Sequence, residues 1–472
     1  LHWDGAAMMP AGGAEARSAQ VSALSVLIHQ LTCDPRVLDW LNIAEAEVAV
    51  NLSSSDQSML GWAQSNLFEI RRAVNHASAV PEQLIHALSE TGSKCEMVWR
   101  EARADDDFKR LQPYLEEVLK LTREVAHIKA DALKVTPYEA LLDQYEPGAS
   151  ESSIDAAFAQ LSLSLPQLIE DALAAQEARN LAHPIAELSG PFSIQNQRAL
   201  GVEVMGLLGF DFNHGRLDVS HHPFCGGTPS DVRITTRYNE QQFTQSLMGV
   251  IHETGHALYE QGLPHAYRSQ PVGKARGMSV HESQSLFWEM QIGRSEAFIS
   301  VLAPLVAEAF AGDPLHPSWS VEGLRREYTK VERSLIRVDA DEVTYPAHVI
   351  LRYNLERNLL NADLEIADLP EAWNAEMERL VGITPPSNRD GCMQDIHWMD
   401  GAFGYFPTYT LGAMTAAQLF ETVKAKIPDV HEQIRGGELQ EVLSWLRDNV
   451  HAQGCRLSTD ELLTQATGRP LD

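Results

Sequence analysis

The sequence predicts a mainly α protein, a single large helical body with a small β-sheet beside one helix. Three observations predict it. Apolar residues recur at spacings of three and four along most of the 472 residues. Strand-type alternation is confined to one short region, residues 217–238. That region leads directly into a helical pattern built around His252-Glu253-Thr254-Gly255-His256, the sequence H-E-x-x-H.

In chain order, an opening stretch with Gly5, Pro10, Gly12 and Gly13 precedes a helix over residues 14–30. Residues 35–133 are almost entirely helical, with Leu60, Trp62, Leu67, Ile70 and Val74, then Leu84, Leu88, Met97 and Trp99, then Leu111, Leu115, Leu119 and Leu121 recurring at spacings of three and four. The charges between them, as from Glu101 to Arg110, are solvated helix faces. A turn-rich connector runs from Asp143 to Ser153, which caps a helix over 154–181, and another helix covers 195–208. Strands at 217–220 and 231–238 flank a Gly226-Gly227 loop, giving a hairpin or small sheet whose edge suits an added peptide strand. The motif helix stops at Gly262, before Pro264. Helices follow over 279–305, 321–337, 342–360, 370–381 and 411–463, interrupted by loop over 382–398 and an aromatic run over 403–409. No repeat or low-complexity linker divides the chain. Residues 1–472 are expected to be one domain, with 1–150 its helical N-terminal part and 210–410 its catalytic part. The chain opens at Leu1 without a Met, so an upstream segment is expected.

Composition excludes several function classes. A net charge of −28, from 37 basic and 65 acidic residues, disfavours nucleic acid and anionic membranes as partners. A hydrophobic content of 44% excludes a disordered chain. Five scattered cysteines without a C-x-x-C pair fit a reducing, cytoplasmic setting. No apolar run approaches a membrane span, and no signal peptide is visible.

On a helix, His252 and His256 share one face, where two imidazoles can hold a divalent metal. Glu253 is the expected general base toward the attacking water. With 18 His, a chance H-E-x-x-H would occur in roughly one such chain in twenty, and the amphipathic flanks shorten those odds. A catalytic zinc takes a third protein ligand. Glu282, 26 residues past His256, is one candidate, and His281 is its rival. Ser279-x-x-Glu282 also spells a capping box, in which Glu282 merely satisfies a helix start.

Five motifs in order carry a family resemblance: Asp231-Val-Arg-Ile-Thr235, His252-Glu-Thr-Gly-His256, His281-Glu-Ser283, Ile336-Arg-Val-Asp-Ala-Asp341 and Gly391-Cys-Met-Gln-Asp-Ile-His-Trp398. With Leu1-His-Trp-Asp4 they span nearly the whole chain, which resembles the M32 metallocarboxypeptidases, the Taq/Pfu-type thermostable carboxypeptidases. The resemblance implies Glu282 as third ligand and one zinc or cobalt per chain. It implies a saddle-like helical body with a deep active-site groove, similar to neurolysin and angiotensin-converting enzyme, and a homodimer. The implied activity removes single residues from peptide C-termini with broad specificity. His397, Tyr405 and Tyr409, in or just after the last motif, are candidates for the oxyanion donor. Recognition of a free α-carboxylate suits a guanidinium fork, with Arg337 first and Arg352 and Arg233 behind it. The competing reading for Arg337 is an ion pair with Asp339 or Asp341. Gln394 and Asp395 are expected to orient a ligand histidine. Some zinc peptidases carry an Asp four residues past the glutamate ligand to orient the first His. Here that position is Leu286, which leaves His252 without an assigned partner. The alternatives are a dipeptide-releasing or oligo-endopeptidase with the same metal site, and a helical scaffold with a structural metal. Glu253 argues against the scaffold, which needs no general base.

Overall fold

Helices form where an apolar stripe finds a partner. Phe108–Leu133 buries Leu111, Leu115, Val118, Leu119, Val125 and Ala126 along one face, and the Asp107 carboxylate accepts from the Arg110 backbone N–H to cap its start. The computed structural model describes residues 1–51, 57–313 and 315–472. It is mainly helical with one three-stranded sheet among the described residues. The chain divides into two compact units. The first comprises Leu1–Val74, Ile185–Thr329 and Gly412–Asp472, and the second Asn75–Pro184 and Lys330–Leu411. In the first, Phe192, Val204, Phe243, Ile251, Leu258, Phe287, Trp288 and Leu446 belong to one buried core. In the second, Leu111, Phe158, Tyr353, Trp373 and Phe406 are buried. No helix among the described residues is long and apolar enough to cross a membrane.

The expected hairpin or small sheet is a sheet, with one strand more than the two expected. Its strands are β1 (Gly215–Val219), β2 (Phe224–Thr228) and β3 (Asp231–Thr236), in the order β1-β3-β2. The two expected strands do pair, but in parallel, Leu217 against Ile234. Gly226 and Gly227 form no loop; they lie in β2, antiparallel to β3. At Gly227 (φ +104°) a Cβ would meet the Asp231 carbonyl oxygen at 2.1 Å, so only glycine permits this close turn into β3. β3 is therefore central, and open edges remain only on β1 and β2. Thr235 ties the layers, its hydroxyl accepting from Ser220 Oγ and from the Phe224 N–H.

Several helices also differ from expectation. Ser150, not Ser153, caps Glu151–Ala182, accepting from the Ser153 N–H. The expected helix over 279–305 is broken into Met278–Leu286, a π-helical turn Phe287–Gly293, and Glu296–Ala309, which Ser295 caps. The expected helix over 321–337 ends at Tyr328, and Arg337–Asp339 is a separate 3-10 turn.

Candidate active site

The helix Thr244–Gly262 is buried on nearly every side, which its apolar residues Val250, Ile251, Ala257 and Leu258 allow. Two glycines set how closely the next helix, Met278–Leu286, approaches. A Cβ at Gly255 would meet the Gln284 carbonyl oxygen at 2.5 Å, and one at Gly412 would meet the Glu282 Cβ at 2.7 Å. This approach brings Glu282 to the two histidines. Its carboxylate lies 3.9 Å from His252 Nε2 and 3.6 Å from His256 Nε2, and one ligand atom from each of the three residues falls within 4.8 Å of the others. Imidazole nitrogens with a carboxylate oxygen form a donor set suited to zinc-type ions. The capping-box reading of Glu282 fails: the N-cap is Gly277, with no side-chain cap, and Ser279 lies inside the helix. His281 directs its ring elsewhere, Nδ1 to His256 Nδ1 at 2.7 Å and Nε2 to Glu260 Oε1 at 3.0 Å.

The far side of His252 carries a residue that the sequence reading missed. Glu289 Oε2 lies 2.9 Å from His252 Nδ1, and Glu289 Oε1 accepts from Arg294 Nη2 at 2.5 Å. Glu289 stands seven positions past Glu282, two helical turns on and within the π-helical turn. A search of that helix face beyond position 286 would have found it.

The electrostatics favour a bound cation. Burial pushes His252 down, but the carboxylates of Glu289, Glu282 and Glu253 outweigh it and lift the imidazole to about 10. Burial raises Glu253 to about 7. Burial also acts to raise Glu289, yet Arg294 and the His252 bond hold it at about 2. Burial, with the neighbouring His281 and His252, drives His256 well below the usual imidazole range, so it stays neutral, as a metal ligand must. Three carboxylates around two imidazoles thus draw positive charge, and a divalent cation fits that demand.

In the second unit, Arg337 and Arg352 converge on Asp395. Arg337 donates to Asp395 Oδ1 from Nε at 3.1 Å and Nη2 at 2.9 Å, and to Tyr345 OH from Nη1 at 2.7 Å. Its guanidinium lies 5.0 Å from the centroid of the Tyr409 ring. The competing reading names Asp339 or Asp341 as the partner of Arg337; it forms its ion pair with Asp395, and Asp341 accepts from the Val343 and Thr344 N–H groups. Arg352 has 0% exposed surface and donates to Asp395 Oδ2, Gln394 Oε1 and the His348 carbonyl. Gln394 and Asp395, expected to orient a ligand histidine, hold these two arginines. Burial acts to raise Asp395, but the two guanidiniums hold it far below the usual carboxylate range. His397 is half-buried and packs against Tyr405 and Phe406, and desolvation with the two arginine charges lowers it to about 4. Tyr405 packs edge-on against Tyr145 and Tyr409. Arg233, in the first unit, forms a fork with Asp231 on β3 and stacks on the Trp3 ring.

A helical body presenting two histidines and a glutamate beside the buried Glu253 holds a candidate metal centre. The comparisons give the class. The chain belongs to the family described as Carboxypeptidase Taq (M32) metallopeptidase, whose model matches residues 1–472. It is 40% identical to thermostable carboxypeptidase 1 of Thermus thermophilus, over 99% of this chain and 90% of that one. It is 34% identical to thermostable carboxypeptidase 1 of Pyrococcus furiosus, over 100% and 92%. Among solved structures, Trypanosoma cruzi metallocarboxypeptidase 1 superposes with a TM-score of 0.94 at 41% identity, covering 100% of this chain and 92% of that one. Membership makes the chain a metallocarboxypeptidase that uses a divalent metal and acts on peptides.

Proposed function

We propose that His252, His256 and Glu282 hold one divalent ion, zinc first and cobalt second, and that the enzyme removes single residues from peptide C-termini with broad specificity. The observation that carries this reading is the clustering of those three ligand atoms within 4.8 Å beside the buried Glu253. When bound, the ion supplies a Lewis acid that activates water and polarises the scissile carbonyl. Glu253 accepts a proton from the attacking water and delivers it to the leaving amine; burial, which raises its carboxyl to about 7, suits it to both transfers. Glu289 holds the His252 ring with its proton on Nδ1, leaving Nε2 for the ion.

Arg337 is proposed to take the substrate α-carboxylate. Three of its five N–H donors are engaged in the bonds to Asp395 and Tyr345, and two guanidiniums facing one carboxylate leave positive charge for an anion. Arg352, without exposed surface, supports Asp395 from behind, and Arg233 supports the sheet. His397, Tyr405 and Tyr409 are the proposed donors to the developing oxyanion. The edge strand β2, which like β3 packs against the motif helix, offers backbone groups to an extended peptide. A single 1–472 domain with a deep groove of the neurolysin and angiotensin-converting-enzyme kind, residues 210–410 as its catalytic part, a homodimer and a cytoplasmic setting complete the proposal, on the family resemblance and on the unpaired cysteines.

Metal analysis of the purified chain combined with a C-terminal ladder on a peptide with a blocked amine tests the reading. One zinc per chain and sequential loss of single C-terminal residues are expected. Internal cuts would transfer the chain to the endopeptidase alternative, which the family membership does not favour.

A further inference from the structure

The ring of His281 has an assignment other than rival ligand. Nε2 of His256 faces Glu282, so for that nitrogen to meet a cation the imidazole proton must sit on Nδ1. That Nδ1 lies 3.0 Å from the His281 carbonyl oxygen and 2.7 Å from His281 Nδ1. The carbonyl oxygen accepts in any case; the ring Nδ1 accepts only if His281 carries its own proton on Nε2, and His281 Nε2 lies 3.0 Å from Glu260 Oε1. The bonds thus have one consistent direction, from His256 through His281 to Glu260. The local fold fixes each member. Glu260 stands one turn past His256 on the motif helix, so both reach the same face of Met278–Leu286. The His281 ring is packed between the His256 ring, at 4.7 Å between centroids, and the Tyr259 ring, at 5.3 Å.

We infer that His281 and Glu260 are positioning residues that fix the tautomer of His256 for metal binding. The proposal rests on the metal-centre reading above. It makes the two ligand histidines alike in kind: each is backed by a carboxylate, His252 directly by Glu289 and His256 through the His281 ring. A carboxylate behind a ligand imidazole raises its basicity and restrains the ring, an effect of about ten- to hundredfold in metal affinity.

The test measures zinc affinity by chelator competition on the full chain, with the visible spectrum of the cobalt-substituted protein as a second readout. Glu260→Gln, which keeps the shape of the side chain, is expected to weaken zinc binding by about tenfold or more with cobalt band positions unchanged, because the ligand set is intact. His281→Phe is expected to weaken it similarly, and adding Glu260→Gln to it should cost nothing further, since the glutamate acts only through the ring. Parent-like affinity in Glu260→Gln, or losses that add in the double variant, would overturn the relay. So would a cobalt spectrum of His281→Phe that had lost a nitrogen ligand, which would make His281 a ligand. A parent chain that bound no divalent metal would sink the metal-centre reading itself, an outcome distinct from tight parental binding with indifferent variants.

Discussion

Around His252 and His256, the carboxylates of Glu253, Glu282 and Glu289 are answered by one guanidinium, Arg294; around Asp395, one carboxylate is answered by two guanidiniums, Arg337 and Arg352. Both clusters are buried, where unbalanced charge is expensive and is tolerated when a partner is to arrive. The signs are opposite. The first cluster draws a proton onto His252 in place of a cation, and the second holds Asp395 ionised and keeps positive charge in reserve. On the proposed reading the missing partners are a divalent metal and a substrate carboxylate. The two clusters therefore fail in different ways when altered.

Glu253→Gln breaks the comparison most severely. It should leave metal content unchanged and lower kcat by about a hundredfold to ten-thousandfold, since only the proton carrier is removed. Parallel metal analysis and single-turnover assays check both halves. Next, Arg352→Met should destabilise the fold by about 3 kcal/mol or more, read from denaturant midpoints, because Asp395 keeps its charge while losing a buried partner. Glu289→Gln should weaken zinc binding by about ten- to hundredfold without touching the Arg–Asp cluster, and chelator competition measures it.

What the sequence disclosed divides along a physical line. His252, Glu253 and His256 were legible because their relation is local, one helical turn. Glu282 was ambiguous from its spacing, because a capping box and a metal ligand share that pattern; the position of the helix start at Gly277 decides against the cap. Glu289 escaped because a four-residue rule stops at Leu286, while the contact is made one turn later on a π-helical turn that no periodicity announces. Asp395 as the partner of Arg337 was out of reach, since the two are 58 positions apart and the pairing comes from tertiary packing. The sheet misled for a similar reason. Gly226-Gly227 carries turn composition, but both lie in β2, and it is Gly227, where a Cβ would meet the Asp231 carbonyl oxygen, that lets the chain turn closely into β3.

Smaller effects sharpen the contrast. In the second unit, burial and the nearby arginine charges lower His348 to about 3 and His397 to about 4. An imidazole with a depressed folded value is neutral in the fold while the unfolded chain takes up the proton. Its contribution is therefore fully present above about pH 6.5 and is lost as pH falls from there toward about 4. Denaturant midpoints should fall across that window, and His397→Phe should flatten the slope. Smallest of all, Arg233→Ala removes a partly exposed pair with Asp231 and should cost under about 1 kcal/mol, with metal affinity unchanged. A large loss there would give the sheet a role in the centre beyond packing.

The central claim, one cluster for a cation and one for a carboxylate, is tested most directly by giving the zinc-loaded enzyme one blocked-amine peptide in two forms, free acid and C-terminal amide. Mass analysis of the products should reveal stepwise loss of single residues from the free acid and little or no turnover of the amide, with Arg337→Ala erasing the difference. Equal cleavage of both forms by the parent enzyme, or internal cuts in either, would contradict it.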